Sequence, residues 1–195
     1  MRTDPALLKA KDAESAYHYA RDIIKGRWPE AEPLIAKDPM MAYLYAKTVI
    51  KGRWPEAEPV IATEPHISYL YAKEVIKGRW PEAEPIIATA SGTAYEYAKY
   101  VIKGRWPQGE LAIATSPRGA YLYAKEVIKG RWPEAEPIIA KDTSTAFDYA
   151  KDIVKGRWPQ GEAAIRELTY FWGPYLDFLK TVGQDVDMWQ VDEWD

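Results

Sequence analysis

Cysteine is absent from the chain, so neither a disulfide nor a thiolate metal site enters its chemistry. His18 and His66 are its two imidazoles, and both lack metal-ligand partners at useful spacing. They read as surface residues, and no metal or cofactor is expected. No Gly-rich phosphate loop, Ser/His/Asp order or paired-acid motif is present, so an enzyme is not expected. No apolar run approaches the ~20 residues that would cross a membrane. Residues 1–15 carry charges throughout and lack the apolar core of a secretory signal, which makes a cytoplasmic location the expectation.

An excess of charge of one sign is missing too, except at one end. The net charge of −3 is unevenly placed: residues 1–15 and five of the six repeats defined below each balance, and the repeat beginning at Ala94 carries +2. Residues 169–195 hold one Lys against five Asp and one Glu, a net of −5. An electrically even body argues against phosphate-backbone binding.

What the chain does have is one pentapeptide six times over. Lys25-Gly26-Arg27-Trp28-Pro29 returns at 51–55, 77–81, 103–107, 129–133 and 155–159, always after 26 residues. An unbroken period of this length is the mark of one supersecondary unit stacked on copies of itself. Before each pentapeptide, residues such as Ala16, Tyr17, Tyr19, Ala20, Ile23 and Ile24 fall in a ~160° arc at ~100° per residue, which predicts an amphipathic first helix. After it, Pro29-Glu30-Ala31-Glu32-Pro33-Leu34-Ile35-Ala36 predicts a shorter second helix, with Pro29 at its first position and the glutamates near its positive end. Pro33 fits this helix less well, while Leu111 and Ala163 occupy the same place in repeats 4 and 6. Asp38-Pro39 and Ser116-Pro117 read as helix caps followed by the first helical residue.

The expected fold is therefore all-α: a solenoid of six 26-residue helix-pair repeats with N- and C-terminal caps. Residues 1–15 form the N-terminal cap, in which Asp4-Pro5 starts a short helix and Leu7 and Leu8 cover the first repeat. Residues 16–168 form the repeats, 169–183 a C-terminal cap helix placed after Gly173-Pro174, and 184–195 an acidic aromatic tail.

Two sets of residues serve as structural anchors. Gly26, Gly52, Gly78, Gly104, Gly130 and Gly156 are expected to end each first helix with a positive φ. Trp28, Trp54, Trp80, Trp106, Trp132 and Trp158 are expected to pack the two helices together, in preference to stacking nucleotides beside the Lys and Arg of the pentapeptide. The glutamate recurring at 32, 58, 84, 110, 136 and 162 is expected to pair with an arginine or backbone donor of the adjacent unit.

Partner-binding candidates come from positions that differ among the repeats. Leu44, Leu70 and Leu122 stand on the nominally polar side of the first helix, and Tyr100 occupies a position that is acidic in four of the other repeats. In the tail, Asp185, Asp187, Asp192 and Glu193 alternate with large apolar groups including Trp189 and Trp194, a pattern suited either to a basic, apolar groove of a partner or to folding back on the last helices as part of the cap.

The G-R-W-P-E-x-E signature preceded by a Y-x-Y-A-K-x-V-I helix resembles a class of short α-helical tandem repeats of bacteriophage and bacterial origin, over about residues 16–165. In architecture the chain is similar to tetratricopeptide-like helix pairs, although it lacks their W-x-x-L-G-x-x-Y pattern. The resemblance implies a non-enzymatic module that binds a protein partner, with a phage-encoded inhibitor or decoy as one concrete form. A nucleic-acid-binding array and a structural scaffold are the alternatives, with nucleic acid disfavoured.

Overall fold

The computed structural model describes residues 10–184. The expected N-terminal capping helix around Asp4-Pro5 and the tail candidates Asp185, Asp187, Trp189, Asp192, Glu193 and Trp194 lie outside the described residues. All regular structure among the described residues is helical. The chain divides into two compact units, one ending at Glu110 and the other beginning at Leu111.

In the first unit, helices Ala13–Tyr19, Pro39–Tyr45, Pro65–Tyr71 and Ser91–Tyr97 pack side by side in chain order. Each has a short partner packed against it: Glu32–Ile35, Glu58–Ile61 and Glu84–Ile87 for the first three. In the second unit the first helices are Pro117–Tyr123 and Thr143–Tyr149, with partners Glu136–Ile139 and Pro159–Arg166, and helix Thr169–Thr181 packs on the last pair. Helix Pro107–Ile113 runs through the division. Each unit is thus a solenoid of stacked helix pairs. Fully buried alanines such as Ala42, Ala46, Ala146 and Ala150 let the helices approach closely, and the Trp and Tyr rings fill the space beside them.

Several first helices start with the predicted cap chemistry, whereas the second helices start at Glu32, Glu58, Glu84 and Glu136, three residues after the expected proline, and at that proline only in Pro107–Ile113 and Pro159–Arg166. Asp38, Ser116 and Asp142 accept the backbone N–H of Met41, Gly119 and Thr145 respectively. Asp12 and Ser15 form a reciprocal capping box.

The helix ends do not follow the prediction. Every first helix finishes in a five-residue π-helical turn, Ala20–Ile24, Ala46–Ile50, Ala72–Ile76, Ala98–Ile102, Ala124–Ile128 and Ala150–Val154. The lysine after this turn takes the left-handed conformation, with φ of 57° to 60°, and the expected glycines do not. The reason lies in the wider turn. Lys51 N–H and Gly52 N–H both return to the Ala46 carbonyl, so the chain reverses one residue before an α-helix of the same length would. A left-handed lysine is disfavoured by about 1–2 kcal/mol against the right-handed form. The glycine after it has no such demand, and in the first five repeats no atom lies within 4 Å of where its Cβ would stand.

Two further expectations are corrected. Ile23 and Ile24 of the first repeat are exposed at 64% and 40%, although the periodicity assigned them to the buried arc; their counterparts Val49 and Ile50 are half-buried. The last helix does not wait for Gly173-Pro174 but begins at Thr169 and runs through Pro174. Pro174 leaves the Tyr170 carbonyl without its helical donor, and Tyr170 is 80% exposed, so water can take the bond.

Candidate functional site

The residues repeated in every unit build a clasp between consecutive pairs. In the first, Arg27 donates from Nε and Nη2 to both oxygens of Glu32, at 2.8 Å each. Glu32 also accepts the Tyr45 hydroxyl at 2.9 Å, and that hydroxyl in turn accepts the Trp28 backbone N–H at 2.7 Å. The same four roles are taken by Arg53, Glu58, Tyr71 and Trp54. They recur in Arg79, Glu84, Tyr97 and Trp80, then in Arg131, Glu136, Tyr149 and Trp132. The glutamate therefore pairs with the arginine of its own repeat and takes a tyrosine from the next, a correction to the expected arginine of the neighbour. Five residues separate the two charges, and the loop between them turns sharply enough for a two-pronged guanidinium–carboxylate contact.

Sequence reasoning missed the tyrosine because it reads as one more core aromatic. Its signal is that the position is Tyr, never Phe, in all six repeats, and a buried hydroxyl needs a partner. The same spacing finds the last member of the series. Tyr175 stands 26 residues after Tyr149 and closes the sixth clasp, accepting from Trp158 N–H at 2.9 Å and donating to Glu162 at 3.2 Å.

The clasp sets the ionisation of its members. The Arg27 guanidinium holds the Glu32 carboxyl below its ordinary range, and Arg53 does the same for Glu58. Burial, with a smaller contribution from Glu32, pushes the Tyr45 hydroxyl up to about 12. Each of these groups faces a hydrogen-bond partner within the clasp.

All six pentapeptide tryptophans are buried, with exposures of 1% to 3%, so their faces are not open to stacking nucleobases. Each packs against a tyrosine of its own repeat with ring centroids about 5 Å apart, as for Tyr71 and Trp80 at 5.0 Å.

A second row of contacts joins neighbouring first helices at their polar edge. Tyr43 donates to Glu74 of the next repeat, and Lys47 pairs with the same carboxylate. Tyr121 and Lys125 hold Asp152 in the same way, at 2.6 and 2.7 Å. The position represented by Asp22, Thr48, Glu74, Tyr100, Glu126 and Asp152 is thus used between repeats wherever a carboxylate of the later repeat meets a lysine of the earlier one. Tyr100 departs from this use: it is 42% exposed, and Lys73 and Lys99 lie over its ring at 4.4 and 4.9 Å. Leu44, Leu70 and Leu122, expected on the polar side, are half-buried.

The Lys-Gly-Arg loops differ in one respect. In the sixth, the Gln184 side chain lies over Gly156, with its amide nitrogen 2.9 Å from where a Cβ would be, and its oxygen accepts the Arg157 N–H at 2.7 Å. No described residue takes this place on Gly26, Gly52, Gly78 or Gly130. Among the described residues no group of three or more His, Asp or Glu side chains comes together as a metal site, and no helix is long and apolar enough to cross a membrane.

Comparison of the chain with protein-family models, with curated proteins and with solved structures finds no match.

Proposed function

We propose that the protein is a non-enzymatic repeat module whose Lys-Gly-Arg loops receive peptide groups of a protein partner. The observation that carries this reading is Gln184. A primary amide is chemically close to a peptide bond, and here one docks on the glycine of a loop and accepts the backbone N–H beside it. Gly26, Gly52, Gly78 and Gly130 offer the same bare surface without an occupant among the described residues. Neither backbone conformation nor packing within the protein requires glycine at these positions, so a recurring approach by another chain accounts for it. Rigid clasps beneath the loops favour binding because little order has to be gained on contact.

The test is selection of displayed peptides on the immobilised protein and on a Gly52→Leu/Gly78→Leu variant, in which nothing lies within 4 Å of either new Cβ. Enrichment on the parent that is lost on the variant supports the reading; the same peptides enriched on both, or none on either, overturns it. A phage-encoded inhibitor or decoy would be one biological form of such a module. The nucleic-acid alternative retains only the exposed lysines Lys25, Lys51, Lys77, Lys103, Lys129 and Lys155, because the indoles are buried and the loop arginines are engaged by glutamates. Retention on a polyanion column at physiological salt would favour that alternative.

A further inference from the structure

The six repeats act as controls for one another, and at the polar edge of the first helices the carboxylate is replaced at Thr48, which meets the Tyr17 hydroxyl, and at Tyr100. Lys47 with Tyr43, and Lys125 with Tyr121, each hold a carboxylate supplied by the following repeat. Lys73 with Tyr69 is the equivalent pair in the third repeat. Lys73 donates to the Tyr69 hydroxyl at 2.9 Å, as its counterparts do, but the following repeat supplies Tyr100 where a carboxylate would stand. Glu74 and Glu96 both act electrostatically with Lys73, and neither makes an ion pair with it among the described residues.

The missing carboxylate leaves a shallow pocket of about 230 Å³ lined by Lys73, Lys77, Gly78, Tyr100, Val101 and Lys103. Three ammonium groups line it and no carboxylate does. Lys77 and Lys103 have no ion-pair partner among the described residues, and their left-handed backbone is held by the π-helical turns before them. Gly78 contributes open space, since nothing lies within 4 Å of its absent Cβ. Tyr100 forms one wall and already carries the Lys73 ammonium against its face.

We propose that this pocket binds an oxyanion, a phosphate or carboxylate group that takes the place Glu74 and Asp152 hold in their own repeats. The ligand's oxygens would accept from Lys73, Lys77 and Lys103, and its charge would offset the +2 of the repeat beginning at Ala94, which supplies Tyr100 and Lys103. A pocket of this size takes a small oxyanion and is too small for a duplex. The site shares Lys77, Gly78 and Lys103 with two Lys-Gly-Arg loops but does not depend on their reading as peptide receptors, because it rests on the charge of the lysines and on Tyr100.

The experiment is a titration of the full chain by NMR, following the Tyr ring and Lys side-chain signals. One arm uses inorganic pyrophosphate and the other a short peptide of alternating Asp and Gly. Saturable shifts centred on Tyr100 in either arm are expected, and the arm that binds more tightly identifies the source of the oxyanion. Lys77→Gln and Lys103→Gln should each weaken binding by about tenfold or more, as one lost charge-assisted hydrogen bond implies. Lys129→Gln, at the same place in a repeat whose neighbouring lysine already holds Asp152, should change nothing. Tyr100→Glu reinstates the carboxylate seen at Glu74, so it should abolish binding while the melting midpoint stays level or rises. Absence of saturable shifts in both arms overturns the proposal. So does equal weakening by Lys129→Gln, or binding that survives Tyr100→Glu in a folded protein.

Discussion

The fifth and sixth repeats carry two versions of the same second helix, and the contrast between them shows how one proline reshapes a unit. In the fifth, Trp132-Pro133-Glu134-Ala135-Glu136-Pro137 makes a turn first and becomes helical only from Glu136 to Ile139. In the sixth, Trp158-Pro159-Gln160-Gly161-Glu162-Ala163 is helical from Pro159 to Arg166. Pro137 has no N–H to return to residue 133, and its ring crowds that carbonyl, so the helix starts where proline sits in its first turn. Ala163 has the N–H, and the helix begins three residues earlier. The earlier start brings the Trp158 ring over Gly161, where a Cβ would come within 2.3 Å of it. Ala135, at the same position in the fifth repeat, is fully buried without conflict. Glycine thus accompanies the proline-free helix and alanine the proline-containing one, a pairing also present at Gly109 with Leu111.

The largest effect should be the one that ignores this difference. Trp132→Ala and Trp158→Ala each remove a buried indole and should each lower stability by about 3–5 kcal/mol in chemical denaturation. A much smaller loss at one of them would mean that only one version of the helix relies on its anchor. Next comes the change that separates the versions. Gly161→Ala should destabilise by about 1–3 kcal/mol through overpacking against Trp158, and adding Ala163→Pro should recover part of that loss by converting the sixth repeat to the form of the fifth. Additive losses in the double variant would show that the two positions are independent.

A smaller effect is expected where the two repeats agree again. Tyr149→Phe and Tyr175→Phe strand the Trp132 and Trp158 backbone N–H groups and should each cost about 1–2 kcal/mol by thermal melting. An unchanged midpoint for Tyr175→Phe would detach the last helix from the clasp series. The mildest perturbation is alkaline titration. Burial, opposed by the Trp N–H and reinforced by the clasp glutamate, raises both tyrosines to about 12 from an ordinary 10.0. Their folded pKa lies above the unfolded one, so this contribution is complete below pH 10 and disappears as pH rises through about 12. The melting midpoint should hold up to pH 10 and then fall, and the fall should be shallower in the Tyr149→Phe/Tyr175→Phe variant. Equal slopes would remove the clasp as its source.

Much of the architecture was legible because a strict repeat averages out local ambiguity. The helix pairs, the caps at Asp38 and Ser116 and the doubt raised by Pro33 all follow from residue types at fixed spacing. The π-helical turns were not legible, since five residues are too few to distinguish a wider turn from an α-helix by periodicity. That missing residue of register is also why the left-handed conformation was assigned to Gly26 instead of Lys25. The candidate site was less accessible still. Arg27, Glu32 and Tyr45 come from three different segments, and only the fold brings them to one point. At Tyr100 the sequence showed an exception to an acidic position, but the purpose of that position depended on Lys47 meeting Glu74 across the helix stack.

The clasp also has a direction. The backbone N–H groups of Trp28, Trp54, Trp80, Trp132 and Trp158 each wait for a tyrosine 17 residues further along the chain. On a ribosome this means that a repeat remains unlatched until most of the next first helix has emerged, so ordering trails synthesis by a little less than one unit. The closing tyrosine of the series, Tyr175, follows Trp158 by 17 residues, and a released chain truncated before it would present Arg157, Glu162 and Trp158 as an open latch to whatever surveys unfinished proteins.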